Sequence, residues 1–235
     1  MTPEQRQAVI EQIQIVEALT LQSDRNKFAT FYPDNGPLRR ELYAKHLEFF
    51  REGVRHRERC MMAGNRVGKT EGCGGYETTV HLTGLYPDWW EGKRFDTPVN
   101  ALAAGDTGTT TRDIIQVKLC GSIARPGTGL IPYSHLGTTT AKQGVPGAFD
   151  LVQVKHEPTG SWSSLQFRSY DQGRVAFQGT ERDVVWLDEE PPKDVYDECL
   201  LRTMTTGGMV LCTFTPLNGL SEVALSYLPH MAPAA

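Results

Sequence analysis

Residues 63–70 read Ala63-Gly64-Asn65-Arg66-Val67-Gly68-Lys69-Thr70. This is the phosphate-loop spacing G-x-x-x-x-G-K-[ST], with Ala63 in place of the first glycine. The layout has a physical reason. Successive backbone N–H groups must turn inward around a phosphate, which demands small residues and positive φ. A helix starting near Gly68 aims its N-terminal dipole at the same anion. Lys69 then reaches the β- and γ-phosphates, and the Thr70 hydroxyl ligates Mg²⁺. Gly64, Asn65, Arg66, Val67, Gly68, Lys69 and Thr70 are therefore the candidate nucleotide-binding residues. The run RCMMA at 59–63 precedes the loop and a helical stretch follows, so the unit reads strand–loop–helix. Arg66 admits two readings: a guanidinium that stabilises charge on a γ-phosphate, or a solvent-facing loop residue.

Downstream, Val184-Val185-Trp186-Leu187 is an apolar run that ends in Asp188-Glu189-Glu190. In a parallel sheet this puts acids at a strand's C-terminal end, where open α/β sheets bind ligands. Asp188 is the candidate for the Mg²⁺ shell and Glu189 for orienting the attacking water. Glu190 competes for the second role and should face away if the strand persists. The next apolar strand, MVLCT at 209–213, ends in Phe214-Thr215-Pro216, and its expected place is between the phosphate-loop strand and the acidic strand. Thr215 and Thr213 are candidates for sensing the γ-phosphate. Upstream, Tyr43, Lys45 and His46 flank the loop strand, where a nucleotide base could be held; equally, Tyr43 and His46 could serve packing. Arg174 and Arg182 precede the acidic strand as candidate contacts for a neighbouring subunit or for DNA.

The rest of the chain fits around these strands. Thr2-Pro3-Glu4-Gln5 has capping-box spacing, and Val9, Ile13, Val16 and Leu19 recur at helical steps, predicting a helix to about Leu21. TFYPDNGP at 30–37 is a connector, and Leu38 to Phe50 a second helix. VNALAA at 99–104 reads as a strand, with a helix over 109–119. Residues 121–149 are rich in Gly, Pro and Thr and read as irregular. LVQVKHE (151–157) and SLQFRSY (164–170) alternate around a Pro-Thr-Gly turn and predict a hairpin. Residues 193–204 read as helix. The expected class is α/β: a P-loop NTPase of RecA-like type, a mostly parallel sheet flanked by helices, with an N-terminal helical extension. Its expected divisions are 1–58 (helical, base-flanking), 59–220 (core) and 221–235 (the start of a linker).

Bulk properties narrow the function. The net charge of −4 and pI near 5.9 exclude a uniformly basic nucleic-acid coat, though not a local patch. Five scattered cysteines without a C-x-x-C pair suit a reducing compartment. No run of 18 apolar residues exists, so no membrane association is expected.

Taken together, AGNRVGKT (63–70), VVWLDEEPP (184–192), TFTPLNG (213–219) and LYAKHLEFF (42–50) resemble the large terminase subunits of tailed double-stranded DNA phages. The resemblance covers roughly residues 30–220. It implies an ATPase that binds ATP and Mg²⁺ and drives double-stranded DNA into a procapsid. The portal protein and the small terminase subunit would be partners, in a homo-oligomeric ring in the bacterial cytoplasm. It implies Arg66 as a cis arginine, Glu189 as the catalytic carboxylate and Thr215 as part of a coupling motif. His46 departs from the glutamine many relatives carry, which weakens the case for adenine contacts there. Relatives also carry a nuclease domain; only Glu222 follows Pro216 as an acid, so this stretch is expected not to cut DNA. The alternatives are another translocase of helicase type, or a non-catalytic nucleotide-binding module.

Overall fold

The strand Glu58–Met62 (β1) delivers the chain into the glycine-bearing loop, and Lys69–Gly75 then winds as a wide π-helical segment into α3, Tyr76–Thr83. These come from a computed structural model that describes residues 1–217, 219 and 221–228. Before this unit lie α1 (Pro3–Asp24) and α2 (Ala44–Arg51). After it come β2 (Asn100–Gly105) and the short α4 (Gly108–Thr110), which runs through a π-helical stretch into α5 (Val117–Cys120). Then follow the two-residue strands β3 (Gly121–Ser122) and β4 (Arg125–Pro126), β5 (Leu136–Ala141), β6 (Phe149–Lys155) and β7 (Trp162–Ser169). The chain continues with β8 (Val184–Asp188), α6 (Lys193–Met204), β9 (Met209–Phe214) and α7 (Glu222–Tyr227).

Seven strands form one sheet in the order β1-β9-β8-β2-β7-β6-β5. Its first five strands run parallel; the β7–β6–β5 side is antiparallel. The mostly parallel class read from the sequence is the one observed, and β9 does lie between the loop strand and the acidic strand. Every residue of β8 and β9 is buried, as expected for strands covered on both faces. One face packs Val80, Leu82, Trp186 and Leu211 with the aromatics Phe28, Tyr32, Phe50 and Tyr76. The other packs Leu102, Leu187, Val210 and Phe214 under Tyr196 and Cys199 of α6. The result is three layers around one sheet.

Local chemistry explains the ends. Thr2 and Gln5 form the expected reciprocal cap: the Gln5 N–H donates to Thr2 Oγ1 at 3.2 Å and the Thr2 N–H to Gln5 Oε1 at 2.9 Å. The helix it opens runs to Asp24, three residues past the expected end, with Ile13, Val16 and Leu19 exposed. The α3 helix is buried on all sides, and its hydroxyls turn back on the chain: Thr79 Oγ1 donates to Gly75 O at 2.8 Å and Thr83 Oγ1 to Thr79 O at 2.7 Å. The segment 121–149 corrects the sequence reading: it holds β3, β4 and edge strand β5. The sequence of β5, Leu-Gly-Thr-Thr-Thr-Ala, gives no apolar alternation because Thr138 to Ala141 are exposed. The expected linker reaches past the described residues; only 221–228 of it can be placed, and these include α7.

Candidate nucleotide-binding site

The loop residues Gly64 to Gly68 are exposed at the C-terminal end of β1, and Lys69 is buried behind them. Positive φ falls on Arg66 (66°) and Gly68 (84°) rather than on Gly64. A Cβ on Gly68 would also meet the His46 ring at 3.1 Å. Ala63 needs no glycine freedom: its N–H donates to Phe214 O at 3.3 Å, continuing the β1–β9 ladder by one step. Gly74 is small for a different reason. A Cβ there would lie 2.0 Å from Trp186 Nε1, so the helix after the loop presses directly onto β8.

That contact begins a chain of hydrogen bonds into the site. Trp186 Nε1 donates to Thr213 Oγ1 at 2.8 Å, and Thr213 donates to Asp188 Oδ1 at 2.7 Å. Asp188 is 4% exposed. Burial pushes its carboxyl up to about 6, against the opposing pull of the Thr213 and Thr70 hydroxyls, with Glu189 adding repulsion and Lys69 attraction. The two loops therefore converge: the side chains of Thr70, Lys69 and Glu189 all act on one buried carboxylate. Thr70 and Lys69 of the phosphate loop are thus neighbours of the acid that closes β8.

Beyond Asp188 the strand does not persist. Glu189 takes φ of 61°, a left-handed conformation rare for a residue with a side chain, and is exposed. Its N–H donates to Thr213 O at 3.0 Å. The alternation used to rank Glu189 over Glu190 stops one residue early, because this turn breaks it. Glu190 is set apart by a different contact: its carboxylate accepts the Ser221 hydroxyl, and Ser221 caps α7.

Thr215 joins the loop itself, donating to Ala63 O at 2.8 Å and standing 3.2 Å from Asn65 Oδ1. Thr213 points instead to Asp188. The Lys69 ammonium donates to Asn65 Oδ1 at 3.4 Å. Among the described residues the Arg66 side chain makes no hydrogen bond or ion pair.

Beside Gly68 opens a cavity of about 210 Å³, lined by Phe31, Tyr32, Leu38, Tyr43, His46 and Glu71 among others. Tyr43 thus lies where a base could stack. His46 is placed differently. Its Nε2 lies 3.0 Å from Val67 O and its Nδ1 2.8 Å from the Tyr32 hydroxyl, which also donates to Gly72 O at 2.7 Å. Burial lowers its pKa, the bond to Val67 opposing. Both ring nitrogens are occupied by protein. Lys45 pairs with Glu48 at 2.8 Å, away from the cavity lining.

The two upstream arginines are not at this site. Arg182, 6% exposed, lies at the opposite end of β8 and donates to Asn100 Oδ1 at 2.5 Å and to Gln166 Oε1. Arg174 donates to Glu198 Oε2 of α6 at 2.8 Å. Sequence reasoning missed three residues that shape the site: Tyr32, Ser221 and Tyr170. For Tyr170 one signal existed. Ser169-Tyr170-Asp171-Gln172 has S-x-x-Q spacing, and it forms a reciprocal capping box at the tip of β7.

The sheet order, the loop and the acidic strand end define a P-loop nucleotide-binding fold. Comparison with known proteins places it further. The family described as "Terminase large subunit, T4likevirus-type, N-terminal" matches residues 60–229. The large terminase subunit of Salmonella phage P22 is 35% identical over 239 residues, covering 94% of this chain and 46% of that protein. This chain belongs to the terminase large subunit family, and it spans about half the length of that curated relative. The fold is also that of the large terminase of a thermophilic bacteriophage. One crystal form of that protein aligns with a TM-score of 0.54 at 13% identity, covering 89% of this chain and 43% of that one. A second form, solved in complex with ADP, gives 0.56 at 14%, covering 80% and 42%. Among the described residues no helix is long and apolar enough to cross a membrane.

Proposed function

We propose that this chain is the ATP-hydrolysing motor segment of a phage DNA-packaging terminase. The observation that carries the reading is the convergence of Lys69, Thr70 and Glu189 on buried Asp188. The ADP-bound terminase of the thermophilic phage and the P22 relative support it.

In this reading the loop N–H groups and Lys69 hold the β- and γ-phosphates, and the base enters the cavity beside Tyr43 and Phe31. The donor set suits Mg²⁺. Thr70 and Asp188 offer hard oxygens, and Asp188 carries a charge that burial disfavours and that, among the described residues, forms no ion pair. Magnesium is commonly held by one or two carboxylates plus substrate phosphates, so a larger acidic cluster is not needed. Thr70 and Asp188 would hold the ion, which when bound supplies charge neutralisation on the phosphate oxygens. Glu189 orients a water in line with the γ-phosphorus. The water oxygen bonds to phosphorus, the bond to the β–γ bridging oxygen breaks, and ADP, phosphate and a proton are released. Arg66, whose guanidinium makes no hydrogen bond or ion pair among the described residues, stabilises charge on the transferring group. Thr215, tied to Ala63 and Asn65, lets the segment after β9 follow the state of the loop. Double-stranded DNA as the moved substrate, the portal protein and small terminase subunit as partners, and a homo-oligomeric ring follow from family membership alone.

Lys69→Ala tests the reading. It should abolish tight ATP binding, a loss of at least about a hundredfold (roughly 2.7 kcal/mol), with the melting temperature kept. Retained micromolar affinity in a nucleotide titration would sink the phosphate-loop assignment.

A further inference from the structure

Glu189 sits in a backbone conformation that a side chain disfavours, so something must hold it there. Its N–H is held by Thr213 O. On the carbonyl side stands the Tyr170 hydroxyl, 3.0 Å from Asp188 O and 3.2 Å from Glu189 O. A single phenolic proton serves both oxygens, bridging the peptide on either side of the turn. Tyr170 is 6% exposed, and its ring stacks on Phe177 at 6.4 Å. Its own position is fixed at the tips of two strands. The Ser169–Gln172 capping box closes its turn, and the Asp171 N–H donates to Asp106 O, just past β2, at 3.1 Å.

We infer that Tyr170 is a positioning residue for hydrolysis: its hydroxyl locks the left-handed turn at Glu189 and so aims the carboxylate at the attacking water. This rests on the proposed role of Glu189. The geometry leaves the hydroxyl little other purpose. It contacts neither the loop nor the base cavity, its further neighbour, Ala104 O at 3.5 Å, is a strand carbonyl, and packing needs only the ring. Without the hydroxyl, the turn is free to relax toward an extended backbone, which swings the carboxylate away. A misplacement of about 1 Å in a water-orienting group can cost on the order of a hundredfold in rate.

The experiment compares Tyr170→Phe, Phe177→Leu and Glu189→Gln in the full chain, measuring kcat, KM for ATP and melting temperature. Tyr170→Phe should lower kcat by roughly tenfold to a hundredfold while KM stays within about twofold. Phe177→Leu loosens the ring packing but keeps the hydroxyl, and should leave kcat near wild type even at a lower melting temperature. If Glu189→Gln is inactive and Tyr170→Phe turns over within twofold of wild type, the inference is overturned alone. It is equally overturned if Phe177→Leu loses as much kcat as Tyr170→Phe. Wild-type turnover in Glu189→Gln overturns the site reading, and this inference with it.

Discussion

Two groups of buried charge flank the phosphate loop, and they are built on opposite principles. One joins β1 to α3: Arg59 and Glu77 form a bidentate pair with Nη2–Oε1 at 2.7 Å and Nη1–Oε2 at 3.1 Å. They are 5% and 0% exposed. His81 approaches the same carboxylate at 3.4 Å, and its other nitrogen meets the Tyr86 hydroxyl at 2.9 Å. Burial alone would raise the Glu77 carboxyl, yet Arg59 and His81 hold it below the ordinary carboxylate range. The other group is Asp188 with Thr70, Lys69 and Glu189. Here burial wins, and Asp188 rises to about 6. The first group is complete within the protein and staples the loop's two supporting elements. In the second, the Lys69 attraction and the Thr213 and Thr70 hydroxyls do not outweigh burial, and among the described residues no ion pair reaches Asp188. Buried charge that the chain itself cancels serves as scaffold; a buried carboxyl whose burial outweighs its partners is a candidate for a functional site.

The comparison breaks most visibly at Glu189. Glu189→Gln keeps size and turn but removes the charge, and turnover should fall by roughly 10²–10⁴ with ATP affinity retained. Phosphate release and nucleotide titration on the same preparation read the two quantities apart. Near wild-type turnover would return the acids to a structural role and favour a non-catalytic nucleotide-binding module.

The scaffold group should respond in stability instead. Glu77→Leu leaves the Arg59 guanidinium buried and unpaired, which costs about 3–5 kcal/mol. Replacing both partners, Arg59→Met with Glu77→Leu, should recover most of that loss, because a buried pair is often close to neutral against apolar residues of similar volume. Urea unfolding of wild type and the two variants checks both statements. A single Glu77→Leu variant within about 1 kcal/mol of wild type would mean that the pair staples nothing.

The two groups also differ in how far they could be read from sequence. The loop and Asp188-Glu189 were legible because their chemistry fixes local patterns: small residues at set spacing, and acids closing an apolar run. The Arg59–Glu77 pair was not. Its partners are 18 residues apart, and Glu77 lies on a helix buried all round, so no polar face distinguishes it. Tyr32 and Tyr170 were hidden in the same way. Each acts through a hydroxyl on a distant backbone carbonyl, Gly72 and Glu189, and an aromatic in an irregular segment carries no periodic signal. The parallel sheet was legible from its apolar runs, whereas β5 was not, since an exposed edge strand of threonines reads like a loop.

The smallest expected effect tests where the site ends. The sequence offers His46 as a base contact, yet its two nitrogens are engaged by Val67 O and by the Tyr32 hydroxyl. If it acts by holding the loop, His46→Ala should weaken ATP and ADP alike by about fivefold, the worth of roughly one hydrogen bond at 1 kcal/mol. The same loss should be seen with GTP, because a loop support is blind to the base. His46→Gln should restore much of the affinity, since an amide N–H can still donate to Val67 O. A base contact behaves otherwise: its removal would cost ATP affinity and spare GTP, leaving the two nucleotides bound more nearly alike. Isothermal titration with the two nucleotides separates these outcomes. The second would move His46 from the scaffold side of the comparison to the ligand side.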